Sequence, residues 1–362
     1  MIVITNRKLD EAETGLDVFG KVPNQAGPNE LRLVEVTAAG RGFRVKTVED
    51  RLGKETVRKL IKKHNLEIDP DQDWFGSLEV ACSIFEKARR EKKHILFFVH
   101  GYNNDMKDVM NRCADFEKAY NVIVVAFSWP ANGGGVEGVP AYLSDKRDAR
   151  ASADALDRTI KKIGYFHKLL TEGLIKRLKV MAEKSVPEDN PMAVQIKYAE
   201  LIEKECSSRL VLLCHSMGNY VLKYALKPGN SDSKCLVFDT IALVAADANN
   251  RDHQDWVETL HVKNRLYIVI NENDGALMWS RRKPGDEQLA RLGHYLKNLV
   301  ARNATYLNVT DASWVKDEHS YFLGEPIQKN SALKAMFRDI FEGRVAEAHM
   351  RFRPEGNFYE LK

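Results

Sequence analysis

The sequence predicts an α/β fold: a doubly wound, mostly parallel sheet with helices on both faces, an antiparallel edge near the amino terminus and a helical insertion. Three observations predict it. Short unbroken apolar runs such as "HILFFV" (94–99), "VIVVAF" (122–127) and "RLVLLC" (209–214) have the pattern of strands buried on both faces. Longer amphipathic stretches separate them, as crossovers between parallel strands require. The runs also stop at turn-forming residues, in "HGYNN", "SWPANG" and "HSMGN".

Along the chain, "MIVIT", "LRLVEVT" and "FRVKTVE" lie within residues 1–50, separated by Gly, Pro and Asn, and predict antiparallel edge strands of the same domain. Phe75, Leu78, Cys82 and Phe85 mark a helix before the "HILFFV" strand, which ends in a turn at Gly101. "NVIVVAFSWP" (121–130) is a second strand, stopped at Trp129-Pro130, and "NGGGVEG" (132–138) is a loop at the strand ends. Ala149, Ala153, Leu156, Ile160 and Ile163 share one face of a long helix. Residues 168–206 then form a helical hairpin insertion, with Leu170, Leu174, Leu178 and Met181 on one arm and Ile196, Ala199 and Ile202 on the other. A hairpin placed between a crossover helix and the next parallel strand emerges away from the ligand edge of the sheet. It is therefore expected to be a structural or homo-oligomerisation element rather than a substrate lid. "RLVLLC" is the third strand, followed by a helix over Tyr220 to Leu226, and "LVFDTIALVAA" (236–246), "RLYIVIN" (265–271) and "TYLNVT" (305–310) supply three more. At 362 residues the whole is read as a single domain, 1–362.

Composition limits the function. Hydrophobic residues at 44% and charged residues at 29% indicate a globular chain, and no apolar run approaches the ~20 residues of a membrane helix. A net charge of +4 provides no broad basic field for nucleic acid. The first residues lack a secretory pattern, and the five cysteines are odd in number and irregular in spacing, so a cytoplasmic protein with reduced thiols is expected. Neither H-E-x-x-H nor paired C-x-x-C occurs, "DANNRDHQD" (247–255) has no metal-ligand spacing, and the glycine-rich loop lacks a phosphate-loop lysine. No metal or cofactor is predicted, and the partner is a small molecule or a protein.

Ser216 falls between "RLVLLC" and "GNYVLKYAL", where a doubly wound sheet places its ligand crevice. Strand, sharp turn and helix are the context of a nucleophile elbow, although Cys214 stands where the G-x-S-x-G pattern has its first glycine. A serine nucleophile needs a histidine base oriented by a carboxylate, here in the chain order Ser, acid, His. Asp274, in "NENDGALMWS", is favoured as the acid over Asp247, whose alternative role is to cap the helix containing Trp256. His319, in the loop after the last strand, is the base; His294, within "EQLARLGHYLKNLV", reads as a packing histidine on a helix. The backbone N–H groups of Tyr102 and Met217 are candidate oxyanion donors, with His100 structural. Trp129 and Trp279 follow strand ends and are candidates for the substrate pocket, or for the core.

Taken in order, "ITNRK", "HGYNN", "FSWPANG" with "YLSDKRDA", "CHSMGN", "NDGAL" and "HSYF" resemble the α/β-hydrolases, and more narrowly a bacterial α/β-hydrolase family designated a domain of unknown function. The likeness covers residues 94–325, with "ITNRK" as a further cue. It implies a triad of Ser216, Asp274 and His319, no cofactor, and a small-molecule acyl substrate, an ester or thioester, cleaved through an acyl-enzyme. The neighbouring expectation is an acyltransferase or thioesterase on the same triad. From a different class, the rival is a non-catalytic hydrolase fold that binds protein.

Overall fold

The computed structural model describes residues 1–361 apart from 25, 41, 132–138, 187–189, 206–207, 227–235 and 283–288. The loop "NGGGVEG", Cys206 and Cys235 lie outside the described residues. At the start, β1 (Ile2–Thr5), β2 (Arg7–Leu9), β3 (Phe19–Pro23), β4 (Arg32–Ala39) and β5 (Gly42–Thr47) precede α1 (Lys54–His64) and α2 (Gly76–Glu91). The middle of the chain alternates: β6 (His94–Val99), α3 (Met106–Ala119), β7 (Val122–Ser128), α4 (Val139–Ala151), α5 (Ala153–Lys184), α6 (Pro191–Glu205), β8 (Leu210–His215) and α7 (Gly218–Ala225). It continues through β9 (Thr240–Val244), α8 (Gln254–Val257), β10 (Arg265–Ile270), α9 (Gly275–Arg282) and β11 (Ala304–Asn308). The carboxyl-terminal part holds α10 (Gly324–Lys329), α11 (Ser331–Phe341), β12 (Arg351–Arg353) and β13 (Phe358–Glu360).

Eleven of these strands form one sheet in the order β12-β13-β11-β10-β9-β8-β6-β7-β1-β4-β5, and β2 and β3 pair separately. From β13 to β1 all neighbours are parallel. At the amino-terminal edge β4 is antiparallel to both β1 and β5, so β1 belongs to the parallel body and only β4 and β5 form the expected antiparallel edge. The short pair β12–β13 closes the other side and was not anticipated. The chain runs from β6 outward to β7, then crosses back to β8 on the other side of β6. A topological switch point therefore lies between β6 and β8, and the crevice at their carboxyl ends is where such sheets bind ligands.

Alternation along the buried strands divides the core. Leu96, Phe98, Val211 and Leu213 face Phe116, Phe322, Phe337 and Phe341 on one side. Phe97, Val99, Leu212 and Cys214 face Leu156, Ile160, Val221 and Leu222 on the other. Both faces of β7 and β8 are buried along their whole length, which is why these strands read as unbroken apolar runs. Cys82, Cys113 and Cys214 are buried free thiols.

Two expectations change. The apolar stripe of the crossover helix continues past residue 168 without a stop signal, so the hairpin arm is the second half of one 32-residue helix, α5, and position 168 marks no boundary. Glu205, at the end of α6, pairs with Arg89 of α2, beside the entry to β6 and opposite the switch-point crevice. The stretch read as a helix around His294 is irregular apart from a short 3-10 turn at Leu292–His294. Its backbone bonds to strand ends instead: Leu292 N–H donates to Ala248 O at 2.8 Å, Gly293 N–H to Ala246 O at 3.0 Å, and Gly293 O accepts from Asn271 N–H at 3.1 Å. These tertiary partners satisfy the groups a helix would have paired internally.

Candidate active site

β8 delivers His215 to the edge of the sheet, and the chain turns sharply at Ser216, whose φ of 53° is left-handed. For a residue with a Cβ this conformation costs roughly 1–3 kcal/mol and persists only where surrounding bonds impose it. Those bonds are present. Ser216 N–H donates to Val244 O at 3.1 Å, and Ser216 O accepts from Asn219 and Asp247 N–H, each at 3.1 Å. Asn219 Nδ2 adds bonds to Cys214 O at 2.9 Å and Ser216 O at 3.1 Å.

The two glycines around this turn permit close approach. A Cβ on Gly218 would lie 2.6 Å from Val99 O, so only glycine lets α7 start against the end of β6. A Cβ on Gly101 would lie 2.7 Å from Ser216 Cβ and 3.2 Å from its Oγ. Cys214 causes no such crowding, because its side chain enters the core between the sheet and α5 and α7. Tyr102 and Met217 each follow one partner of the Gly101–Ser216 contact in the chain.

The loop after β6 is held from beneath. Trp129 Nε1 donates to His100 O at 2.9 Å, and the Trp129 ring stacks on His100 at 5.3 Å. His100 Nδ1 bonds Gly101 O at 2.9 Å, and burial pushes its imidazole down to about 3, so it is neutral. Arg7 is buried and spreads over Ser128 Oγ at 2.9 Å, Gly20 O at 3.2 Å and Asn104 O at 3.1 Å. Burial lowers its guanidinium to about 10, still charged at neutral pH. Asn104 Nδ2 in turn donates to Tyr102 O at 2.6 Å. Thus "ITNRK", "FSWP" and "HGYNN" form one assembly that fixes the loop.

On the other side, Asp274 is fully buried between β10 and α9. Its Oδ1 accepts from Leu277 N–H at 3.0 Å, and its Oδ2 from His319 Nδ1 at 2.7 Å. The His319 loop is fixed by Asn271 Nδ2 on Lys316 O at 2.9 Å and by Gly275 N–H on Asp317 O at 3.1 Å. With Nδ1–H given to Asp274, the ring lone pair of His319 is left on Nε2. His319 docks beside Ser216 through the intervening residue: His215 Nε2 donates to His319 O at 3.1 Å, and the two rings lie 4.6 Å apart. Burial, and next His319, hold the His215 imidazole well below its ordinary value. No hydrogen bond joins Ser216 Oγ to His319 among the described residues.

The remaining candidates resolve differently. Trp129 has no exposed surface with which to line a pocket; it supports the His100 loop. Trp279 is 61% exposed on α9, with Arg282 over its ring at 5.4 Å. Asp247 caps nothing on α8. It forms an ion pair with Arg291 at 3.0 Å and accepts from Ser280 Oγ at 2.6 Å and Tyr142 OH at 3.1 Å in a buried network. His294 is buried, and its Nδ1 has no partner among the described residues. Sequence reasoning missed Arg7, Asn104 and Arg112, although Arg7 and Asn104 lie inside motifs it had singled out. Among the described residues there is no group of three His, Cys, Asp or Glu side chains able to hold a metal, and no helix long and apolar enough to cross a membrane.

Parallel order, switch point and strand-turn-helix serine together define an α/β-hydrolase fold. A family model described as "Alpha/beta hydrolase of unknown function (DUF900)" matches residues 80–184, from α2 to the end of α5. That is under a third of the chain; it includes the loop after β6 and stops before Ser216. No curated protein and no solved structure matches.

Proposed function

We propose that this protein is a serine hydrolase that cleaves a carboxylic ester or thioester through an acyl-enzyme. The observation that carries the proposal is the left-handed Ser216 pressed against Gly101 at the switch point, because this is the strained strand-turn-helix conformation that a nucleophile elbow requires. Asp274 holds the His319 proton on Nδ1, leaving Nε2 to take the Ser216 proton as Oγ attacks the substrate carbonyl. The Ser216–His319 bond closes when substrate is bound, as catalytic contacts in empty sites commonly do. Negative charge developing on the carbonyl oxygen is met by the N–H groups of Tyr102 and Met217, the latter at the start of α7. His319 then protonates the leaving group, and water, deprotonated by the same nitrogen, releases the acid.

Intact-protein mass spectrometry during turnover of p-nitrophenyl esters of graded chain length tests this proposal. An adduct of acyl mass on the wild type, absent from Ser216→Ala, is the expected result. Hydrolysis without any adduct, unchanged by Ser216→Ala, would rule it out.

A further inference from the structure

We infer that a groove on the α2/α5 face of the sheet, separate from the Ser216 site, binds a long-chain carboxylate. The groove has a volume of about 380 Å³. That lies within the ~300–1,000 Å³ usual for small-ligand sites. Its floor is the apolar face of β1, β6 and β7, at Ile4, Phe97 and Val125, and its walls are Phe75 with Ile84 of α2 on one side and Ile163 of α5 on the other. The floor positions lie within their strands, short of the carboxyl ends, whereas Ser216 follows the carboxyl end of β8.

The rim supplies the charge. Arg158 and Lys162, one turn apart on α5, both meet the groove, and neither makes an ion pair among the described residues. Arg158 donates to the Asn29 carbonyl at 2.7 Å. The Lys162 ammonium sits over the Phe75 and Phe166 rings at 5.3 Å each, which holds it above the apolar floor. Arg32 also lines the groove but is paired with Glu30 at 3.6 Å. The acidic groups that touch the groove, Glu49 and Asp50, are exposed and stand beside Gly76 at the start of α2. The charged neighbour acting on Lys162 is Arg158, a like charge.

Two adjacent cations that pair with no carboxylate among the described residues, above an apolar trough, complement a ligand with an anionic head and a hydrocarbon tail. The tail removes the floor from water, and the head relieves the repulsion between Arg158 and Lys162. A cationic amphiphile would bury the same tail but add a third positive charge.

Calorimetric titration of the full chain with laurate, and separately with dodecyltrimethylammonium, both below their micellar concentrations, tests this assignment. Saturable binding of one laurate per chain is expected, at least roughly tenfold tighter than the cationic analogue. The double variant Arg158→Glu, Lys162→Glu and the groove-filling Ile84→Trp should each weaken laurate by at least roughly tenfold. Circular dichroism melting would verify that both remain folded. Equal uptake of the two amphiphiles, laurate binding unchanged in both variants, or no laurate binding to the wild type would each overturn the inference.

Discussion

Arg112 Nη1 donates to Ser320 Oγ at 2.7 Å, one residue beyond His319, while its Nε donates to Asn104 Oδ1 at 3.1 Å in the loop after β6. One half-buried guanidinium on α3 therefore ties the loop carrying Tyr102 to the loop carrying His319. Neither loop is held to the other by a strand, so this side chain sets their spacing. Arg112→Met should lower kcat by roughly tenfold or more with little change in KM, since small displacements of reacting groups are costly. Arg112→Lys, which can reach one partner but not both, should fall between. Steady-state kinetics on one p-nitrophenyl ester would check both variants, and a proportionate rise in KM with kcat unchanged would count against positioning.

Gly101 leaves no room for a side chain. Gly101→Ala would drive a methyl group to within 2.7 Å of Ser216 Cβ, so the loop must withdraw and take the Tyr102 N–H with it. Turnover should drop by about a hundredfold. Thermal unfolding should report a loss of only about 1–3 kcal/mol, the ordinary cost of local overcrowding.

Replacing the strained residue should separate stability from activity. Ser216→Gly relieves the left-handed φ of 53° and is expected to stabilise the fold by about 1 kcal/mol after the entropy cost of glycine, while abolishing acyl transfer. Ser216→Ala should abolish activity without that gain, because its Cβ retains the strain. Urea denaturation of the three proteins measures the difference.

Stability should fall on acidification below neutrality. His100 titrates at about 3 when folded and near 6.5 when unfolded, so between those values the unfolded chain binds more protons. Its contribution is complete above about pH 6.5 and is lost progressively as the pH falls toward 3. By pH 5 this one buried group accounts for about 2 kcal/mol. His215, His94 and His167, also lowered by burial, act in the same direction. Asp148, raised to about 6 by burial and by Asp145, opposes them between its two values. Urea midpoints at pH 7.5 and pH 5 should differ accordingly, and His100→Asn should narrow the gap.

What the sequence disclosed was whatever depends on local pattern. Strands buried on both faces give unbroken apolar runs, so β6, β7, β8 and β10 were legible. A serine between strand and helix, an acid after a strand and a histidine in a late loop are likewise local signals. The support beneath them was not legible. Arg7 and Arg112 are charged residues whose ordinary place is the surface, and only the fold shows that each spends its donors on loops distant in sequence. Trp129 follows a strand end as a pocket residue would, yet the need to seat His100 draws it into the core. The segment around His294 has the periodicity of a helix, but the carbonyls of Ala246 and Ala248 capture its backbone first. At the carboxyl terminus, β12 and β13 are three residues each, too short for any periodicity to register.

If Ser216 is a nucleophile activated by the Asp274–His319 bond, it reacts with a fluorophosphonate and depends on both partners to do so. Labelling of the folded protein by such a probe, located by peptide mass spectrometry, measures this. Labelling at Ser216 in the wild type is expected, with its collapse in Asp274→Ala and His319→Ala while the fold stays intact. A folded wild type that takes up no probe, or labelling at Ser216 that persists undiminished in both variants, would contradict it.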